Sequence, residues 1–134
     1  MNVDEAVYKR LSTFAGLIAL VGGATPRIRP VRADQRDAYP YVTYSVISDL
    51  AYSAMSADAT PHRARVQVSS FNDDFDSMRA VDEQVRLALS RFRGTSGTIT
   101  VQDILEDGVQ DLDLAQVGEG VFQRARDFIV FYNV

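Results

Sequence analysis

The segment that most constrains the fold is the last apolar one, Val121–Asn133, which has the length and composition of a β-strand. Its first half alternates in polarity, whereas its second half, Phe128–Tyr132, is apolar without interruption. Successive side chains of a strand point to opposite faces, so such a strand must be covered on both faces. Helices on one side of a small sheet leave the other side bare. We favour a neighbouring subunit over a folded loop as the second cover, because exposed apolar patches mark contacts.

Two helices are predicted from apolar residues that recur every three or four positions. The first begins at Asn2, with Glu5 completing a capping-box pattern, and ends at Gly22-Gly23. The second extends from about Asp73 to Phe92 and ends at Gly94. The first stripe consists of Val3, Val7, Leu11, Phe14 and Ile18, and the second of Phe75, Met78, Val81, Val85, Leu89 and Phe92.

The polar residues of the second helix also fit a helical assignment. Asn72 and Asp73 are candidate N-cap residues, because their side chains can accept hydrogen bonds from the first free N–H groups. Asp82 and Arg86 are spaced i,i+4, which predicts an ion pair on the solvated face.

Alternating polarity predicts four strands, at Tyr41–Ile47, His62–Phe71, Thr98–Leu105 and Val121–Asn133. The intervening segments are interpreted as loops, at Ala24–Pro40 (with a short strand near Ile28), Ala51–Thr60 and Glu106–Gly120. The predicted fold is therefore α+β, with the order α-β-β-α-β-β. It is a mainly antiparallel four-stranded sheet flanked by two helices and long loops, in a single domain of residues 1–134.

Few side chains suit catalysis or cofactor binding. The chain has no cysteine, which excludes thiolate chemistry. Its one histidine, His62, is too little for a zinc site and has no sequence motif of a catalytic triad around it. Neither phosphate-binding nor dinucleotide-binding glycine patterns occur. The acids between Asp103 and Glu119 are interpreted as a solvated loop, since the calcium-loop pattern is absent. We expect no enzyme activity, no metal and no cofactor.

The charge is unevenly distributed along the chain. Residues 1–70 contain eight Lys and Arg against six Asp and Glu, and residues 71–134 contain six against twelve. This asymmetry suits head-to-tail contact between copies. A basic stretch has acids interleaved, which favours a protein partner over nucleic acid; its arginines are Arg27, Arg29, Arg32 and Arg36.

A location in the cytoplasm without membrane insertion is expected. The longest apolar stretch, near Gly16–Val21, is too short to span a bilayer. Acids stand near Met1, where a signal peptide would carry bases.

Four segments in this order resemble the tail-completion (tail-terminator, tail-to-head joining) proteins of long-tailed bacteriophages. These are Pro40-Tyr41-Val42-Thr43-Tyr44, then Arg65–Phe71, then the acidic-capped helix Phe75–Leu89 ending near Gly94, and finally Arg126–Tyr132. The resemblance covers most of the chain, from the first helix to the last strand.

The resemblance implies a structural virion protein without catalytic residues, assembled in the host cytoplasm. It implies a hexameric ring that caps the tail tube, joins it to the head-tail connector or adaptor, and lets DNA pass through the lumen without specific binding. The basic loop and the acidic segment would then meet across a ring-closing interface, or the acids would face the lumen. The candidate subunit or partner contacts are Arg27, Arg29, Arg32, Arg36, Asp107, Asp111, Asp113, Phe128 and Phe131.

Other functions remain open at this level. The chain could be a related head-tail joining or tail-tube ring protein, because these differ mainly in the neighbours they bind. It could be a protein-binding module of an assembly unrelated to phages, since the same order of helices and strands occurs in proteins of different function. A small hydrolase using the acids of 103–119 is a third possibility, for which no nucleophile or base is positioned.

Overall fold

The structure of the chain, a computed structural model, describes residues 3–22, 26–32, 38–51, 61–113 and 121–133. Within these residues it forms three helices and six strands. The helices are α1 (Val3–Thr13), α2 (Ala15–Val21) and α3 (Phe75–Leu89). The strands are β1 (Ile28–Pro30), β2 (Tyr41–Ala51), β3 (Pro61–Asn72), β4 (Gly94–Ser96), β5 (Ile99–Asp113) and β6 (Phe122–Asn133).

The strands form one mixed sheet in the order β1-β2-β3-β6-β5-β4, curled into half a barrel. The β1–β2 pair is parallel and the other four pairs are antiparallel. The prediction of a four-stranded antiparallel sheet with two helices is therefore wrong. The four predicted strands, the short strand near Ile28 and the second helix exist, but the sheet has the short strands β1 and β4 at its two edges and the first helix is divided.

The first helix is divided at Phe14, which has an extended conformation with φ −83° and ψ 110°. The Thr13 hydroxyl donates to the Lys9 carbonyl at 2.7 Å, a back-bond that bends helices. The Phe14 carbonyl then accepts from the amide of Ile18 at 3.0 Å and starts α2. The apolar stripe runs through the break, so its spacing did not reveal it.

The largest error of extent concerns β5. Residues 106–113, predicted as loop, continue this strand and pair with β6 as far as Asp113↔Phe122. Cross-strand ion pairs between acids of β5 and arginines of β6, described below, hold this polar segment in the ladder. The predicted loops at 52–60 and 114–120 lie outside the described residues.

Helix α3 is confirmed, with shifted ends. Its N-cap is Asp74, whose carboxylate accepts from the amide of Ser77 at 2.9 Å, whereas Asn72 accepts from the amide of Asp73. This bond lowers the pKa of Asp74. The helix ends at Leu89, before the predicted Phe92.

Helices α1 and α3 pack on one face of the sheet, which we call the helix face, and α2 packs against both of them. The core lies there, and it includes Val66 and Val68 of β3 and Phe128, Val130 and Tyr132 of β6. The opposite face, which we call the open face, carries no helix of the described residues. Register shifts at Val46/Ser48, Val101/Asp103 and Glu106/Gly108 each exchange the two faces along a strand.

Candidate assembly interface

The acids of β5 are paired with arginines of the same chain. The contacts are Asp103–Arg91 at 2.9 Å, Glu106–Arg126 at 2.8 Å, Asp107–Arg65 at 2.7 Å and Asp111–Arg124 at 2.7 Å. The hydrogen bonds from Arg124 lower the pKa of Asp111. Because these four acids are neutralised within the subunit, they offer little free charge to a neighbouring basic loop.

Asp113 closes the strand opposite Phe122. Its backbone therefore lies at the end of the β5–β6 ladder. Glu119 lies outside the described residues.

A buried charge cluster that the sequence analysis missed joins α3 to β6. Asp82 is 2% exposed, and its two carboxylate oxygens accept from Arg126 at 3.2 and 2.8 Å. Arg124 adds a contact with the same carboxylate at 3.9 Å. The predicted Asp82–Arg86 pair is not formed, since Arg86 binds Glu83 instead and lowers its pKa. The available signal was that Asp82 follows Met78 by four residues, which places it on the apolar stripe.

The basic stretch does not act as one surface. Arg27 is a structural anchor, because its Nε donates to the Pro40 carbonyl at 2.9 Å and its own carbonyl accepts from Val42. Arg29 belongs to β1 and pairs with Thr43 in the sheet. Arg32 is exposed, and Arg36 lies outside the described residues. Of the four, Arg32 is the one that the structure describes as a surface cation.

Phe128 and Phe131 lie on opposite faces of β6. Phe128 is fully buried in the core on the helix face, opposite Val66, so it stabilises the fold and is not available as a surface contact. Phe131 is half-buried on the open face, between Arg63 of β3 and Asp103 of β5. Ile129, also on the open face, is 6% exposed and borders a cavity of about 200 Å³ with Ser48, Leu50, Arg63 and Arg65.

The sheet has open backbone edges on both sides. Strand β1 pairs with β2 only as far as Tyr44, so no described strand lies beyond the outer edge of residues 45–51. Strand β4 pairs with β5 only as far as Val101, which leaves the outer edge of residues 105–113 likewise open among the described residues. Exposed apolar side chains accompany both edges: Val46, Ile47 and Leu50 on β2, and Val109 on β5.

His62, the first residue of the predicted strand His62–Phe71, belongs to a polar cluster of β2, β3 and β6. Its Nδ1 lies 3.0 Å from Asp49 and 3.2 Å from the Tyr132 hydroxyl, and its ring stacks on Tyr132 at 4.7 Å. The Tyr132 hydroxyl donates a hydrogen bond to Asp49. Burial is the main cause that raises the pKa of Tyr132 and this hydrogen bond is the second, so the phenol stays protonated. Since Tyr132 is buried, the cluster fastens the three strands together.

The described residues carry neither a metal site nor a membrane-spanning helix. No group of three or more His, Cys, Asp or Glu side chains within them is placed to hold a metal ion. Nor does any helix in that part of the chain have the length and apolarity needed to cross a membrane.

Comparison with known proteins identifies the family. Residues 5–128 match the family model described as tail completion protein gp17. A chain from the structure titled "Virion of native gene transfer agent (GTA) particle" has the same fold, with a TM-score of 0.71 and 17% identity, over 96% of this chain and 92% of that chain. No curated protein sequence matches the chain. Since the family model spans nearly all of the sequence, this chain belongs to the tail completion protein gp17 family and is a structural tail protein.

Proposed function

We propose that the chain forms a ring, by head-to-tail contact of its copies, that caps the tail tube at its head-proximal end and joins it to the head-tail connector. Membership in the tail completion family supports a role at the end of a tail. We further propose that the chain acts as one domain, without catalysis, in a ring of six copies whose lumen passes DNA without specific binding.

The observation that carries the ring is the pair of sheet edges along which no described strand is paired. They lie on opposite sides of one sheet, at residues 45–51 and 105–113. A contact between two different edges is heterologous, and heterologous contacts close into a ring when the rotation between copies permits. Exposed Ile47 and Leu50, 55% and 56% accessible, supply apolar area at one edge, and Val109 supplies it at the other.

The contact is therefore expected to depend on backbone and apolar groups more than on ion pairs. Glu106, Asp107 and Asp111 of β5 already bind arginines of their own chain, so they would meet a neighbour as neutral pairs. The register shifts at Val46/Ser48 and Glu106/Gly108 lie within the open edges, and bulges there hinder indiscriminate pairing. This arrangement suits a subunit that closes its ring on a template, the end of the tail tube.

Electron microscopy of tail tubes tests the proposal. Tubes assembled from the tube protein of the same genome are mixed with the purified chain and imaged. We expect ring density at one tube end, and we expect its loss in the double variant Ile47→Asp, Leu50→Asp. The control is Leu87→Asp, which places one carboxylate on an exposed apolar position of α3 (47% accessible).

Circular dichroism establishes that each variant is folded before the images are compared. Capping of tubes by the folded double variant at the wild-type level would refute the role of the β2 edge. Binding of the wild-type chain along the tube wall, with bare tube ends, would refute the terminal position.

A further inference from the structure

A recess lies between α1 and the β4–β5 hairpin, away from both open edges. Its volume is about 290 Å³, close to the lower end of the range for ligand pockets. Apolar walls come from Ala6, Phe92 and Val101. Its polar lining consists of Lys9, Arg10, Thr13, Thr95, Ser96 and Gly97.

Arg10 is held in a fixed position at this recess. Its Nε donates to the carbonyl of Ala88 at 2.7 Å, in the last turn of α3. Its guanidinium lies over the ring of Phe92, 4.4 Å from the centroid, and over Phe14 at 5.3 Å. The bond to Ala88 uses only Nε. The two terminal nitrogens form a planar fork that matches the two oxygens of a carboxylate or phosphate. Such a side chain loses little further freedom when it binds an anion.

Two cations, Lys9 and Arg10, line this recess. Six arginines elsewhere in the described residues contact an Asp or Glu: Arg65, Arg79, Arg86, Arg91, Arg124 and Arg126. In that same part of the chain, no acid forms an ion pair with Lys9 or Arg10.

We propose that this recess binds the carboxylate of an acidic segment of a protein partner. The Arg10 fork and the Lys9 ammonium bind the carboxylate, and the apolar walls receive the methylene stem of a glutamate. Duplex DNA fits less well, because phosphate binding by a duplex needs a row of cations. Here the same helix carries Asp4 and Glu5 one turn before Lys9. The proposal does not rest on ring formation, since the recess belongs to one subunit.

Amide chemical shifts of the complete 15N-labelled chain provide the test. The probes are the peptide acetyl-Leu-Glu-Leu-amide, the same peptide with Gln for Glu, and a short DNA duplex. We expect the Glu peptide to shift the amides of residues 9–13 and 95–97, and the Gln peptide to leave them in place. Lys9→Gln should weaken binding about threefold, and Arg10→Lys, which keeps the charge but loses the fork, about tenfold. Arg63→Gln, which removes an exposed cation of β3, is the matched control and should bind as the wild type does.

Unfolding midpoints show whether Arg10→Lys is folded, and Lys9→Gln changes an exposed residue for which no folding defect is expected. The proposal is overturned if the Glu peptide shifts no amides of the recess, or if the Gln peptide shifts them equally. It is also overturned if Lys9→Gln and Arg10→Lys both bind as the wild type does, or if the duplex shifts these amides at a lower concentration than the peptide. None of these outcomes bears on whether the chain forms rings.

Discussion

At the scale of the residue, arginine organises the electrostatics of this fold. Thirteen of the fourteen basic residues are arginines, and Arg126 alone bridges Asp82 of α3 and Glu106 of β5. The guanidinium has enough fixed donors to serve two carboxylates, which the ammonium of lysine does less well. The individual partners could not be predicted from the sequence, because Asp82 and Arg126 are 44 residues apart and only the folded sheet brings them together.

Val31 is a residue whose backbone conformation conflicts with its side chain. It has φ +68°, in the left-handed region that β-branched residues avoid, and it is 73% exposed. Val31→Asn should increase the free energy of unfolding by about 1 kcal/mol, because asparagine tolerates this region. Val31→Ile keeps the branched side chain and should leave stability unchanged. Urea denaturation measures both, and equal stability of the two variants would contradict the assigned conformation.

At the scale of the element, local pattern predicted what was regular and missed what depends on neighbours. Helix α3 could be predicted because its apolar stripe and acidic first turn agree. The short β4 has three residues, too few for a period to be visible, and exists because the longer β5 offers it an edge, whereas the equally short β1 was predicted near Ile28. Residues 106–113 of β5 were predicted as an acidic loop, because the sequence alone does not show that arginines of β6 lie opposite these acids. The open edges are likewise a property of the assembled sheet.

Asp82 fastens α3 to the sheet, and its removal should be costly. Asp82→Ala leaves Arg126, whose side chain is 14% exposed, without its main partner in a dry environment. We expect a loss of about 3 kcal/mol in the free energy of unfolding. Asp76→Ala breaks the pair with Arg79 on the same helix, where the Asp76 side chain is 83% exposed, and should cost little. Guanidinium denaturation of both variants compares them, and similar losses would show that the Asp82 cluster is not a buried anchor.

At the scale of the whole molecule, carboxylates bound to donors make stability depend on pH. The pKa values of Asp74, Glu83 and Asp111 are lowered in the folded chain by Ser77, Arg86 and Arg124 respectively. The unfolded chain then binds more protons, so stability rises with pH in this range. The contribution is complete above the ordinary values of 3.8 and 4.5 and is lost as the pH falls through the lower folded values.

The double variant Glu83→Gln, Asp111→Asn tests this pH dependence. Its free energy of unfolding should change less between about pH 5 and pH 3 than that of the wild type, because two of the three groups no longer titrate. Thermal unfolding at a series of pH values measures the slopes. Parallel curves for the two proteins would contradict the assigned contacts.

The central position of β6 also determines how the molecule bears load. This strand is paired along its whole length with β3 on one side and with β5 on the other. A pull on Asn133 along the strand axis therefore loads both ladders in shear, and many hydrogen bonds must fail together before β6 slides. The same pull applied across the sheet would open the ladders one bond at a time. The fold is thus mechanically anisotropic, stiff along β6 and weak across it, and the direction of tension at a tail joint would decide which of the two strengths is used.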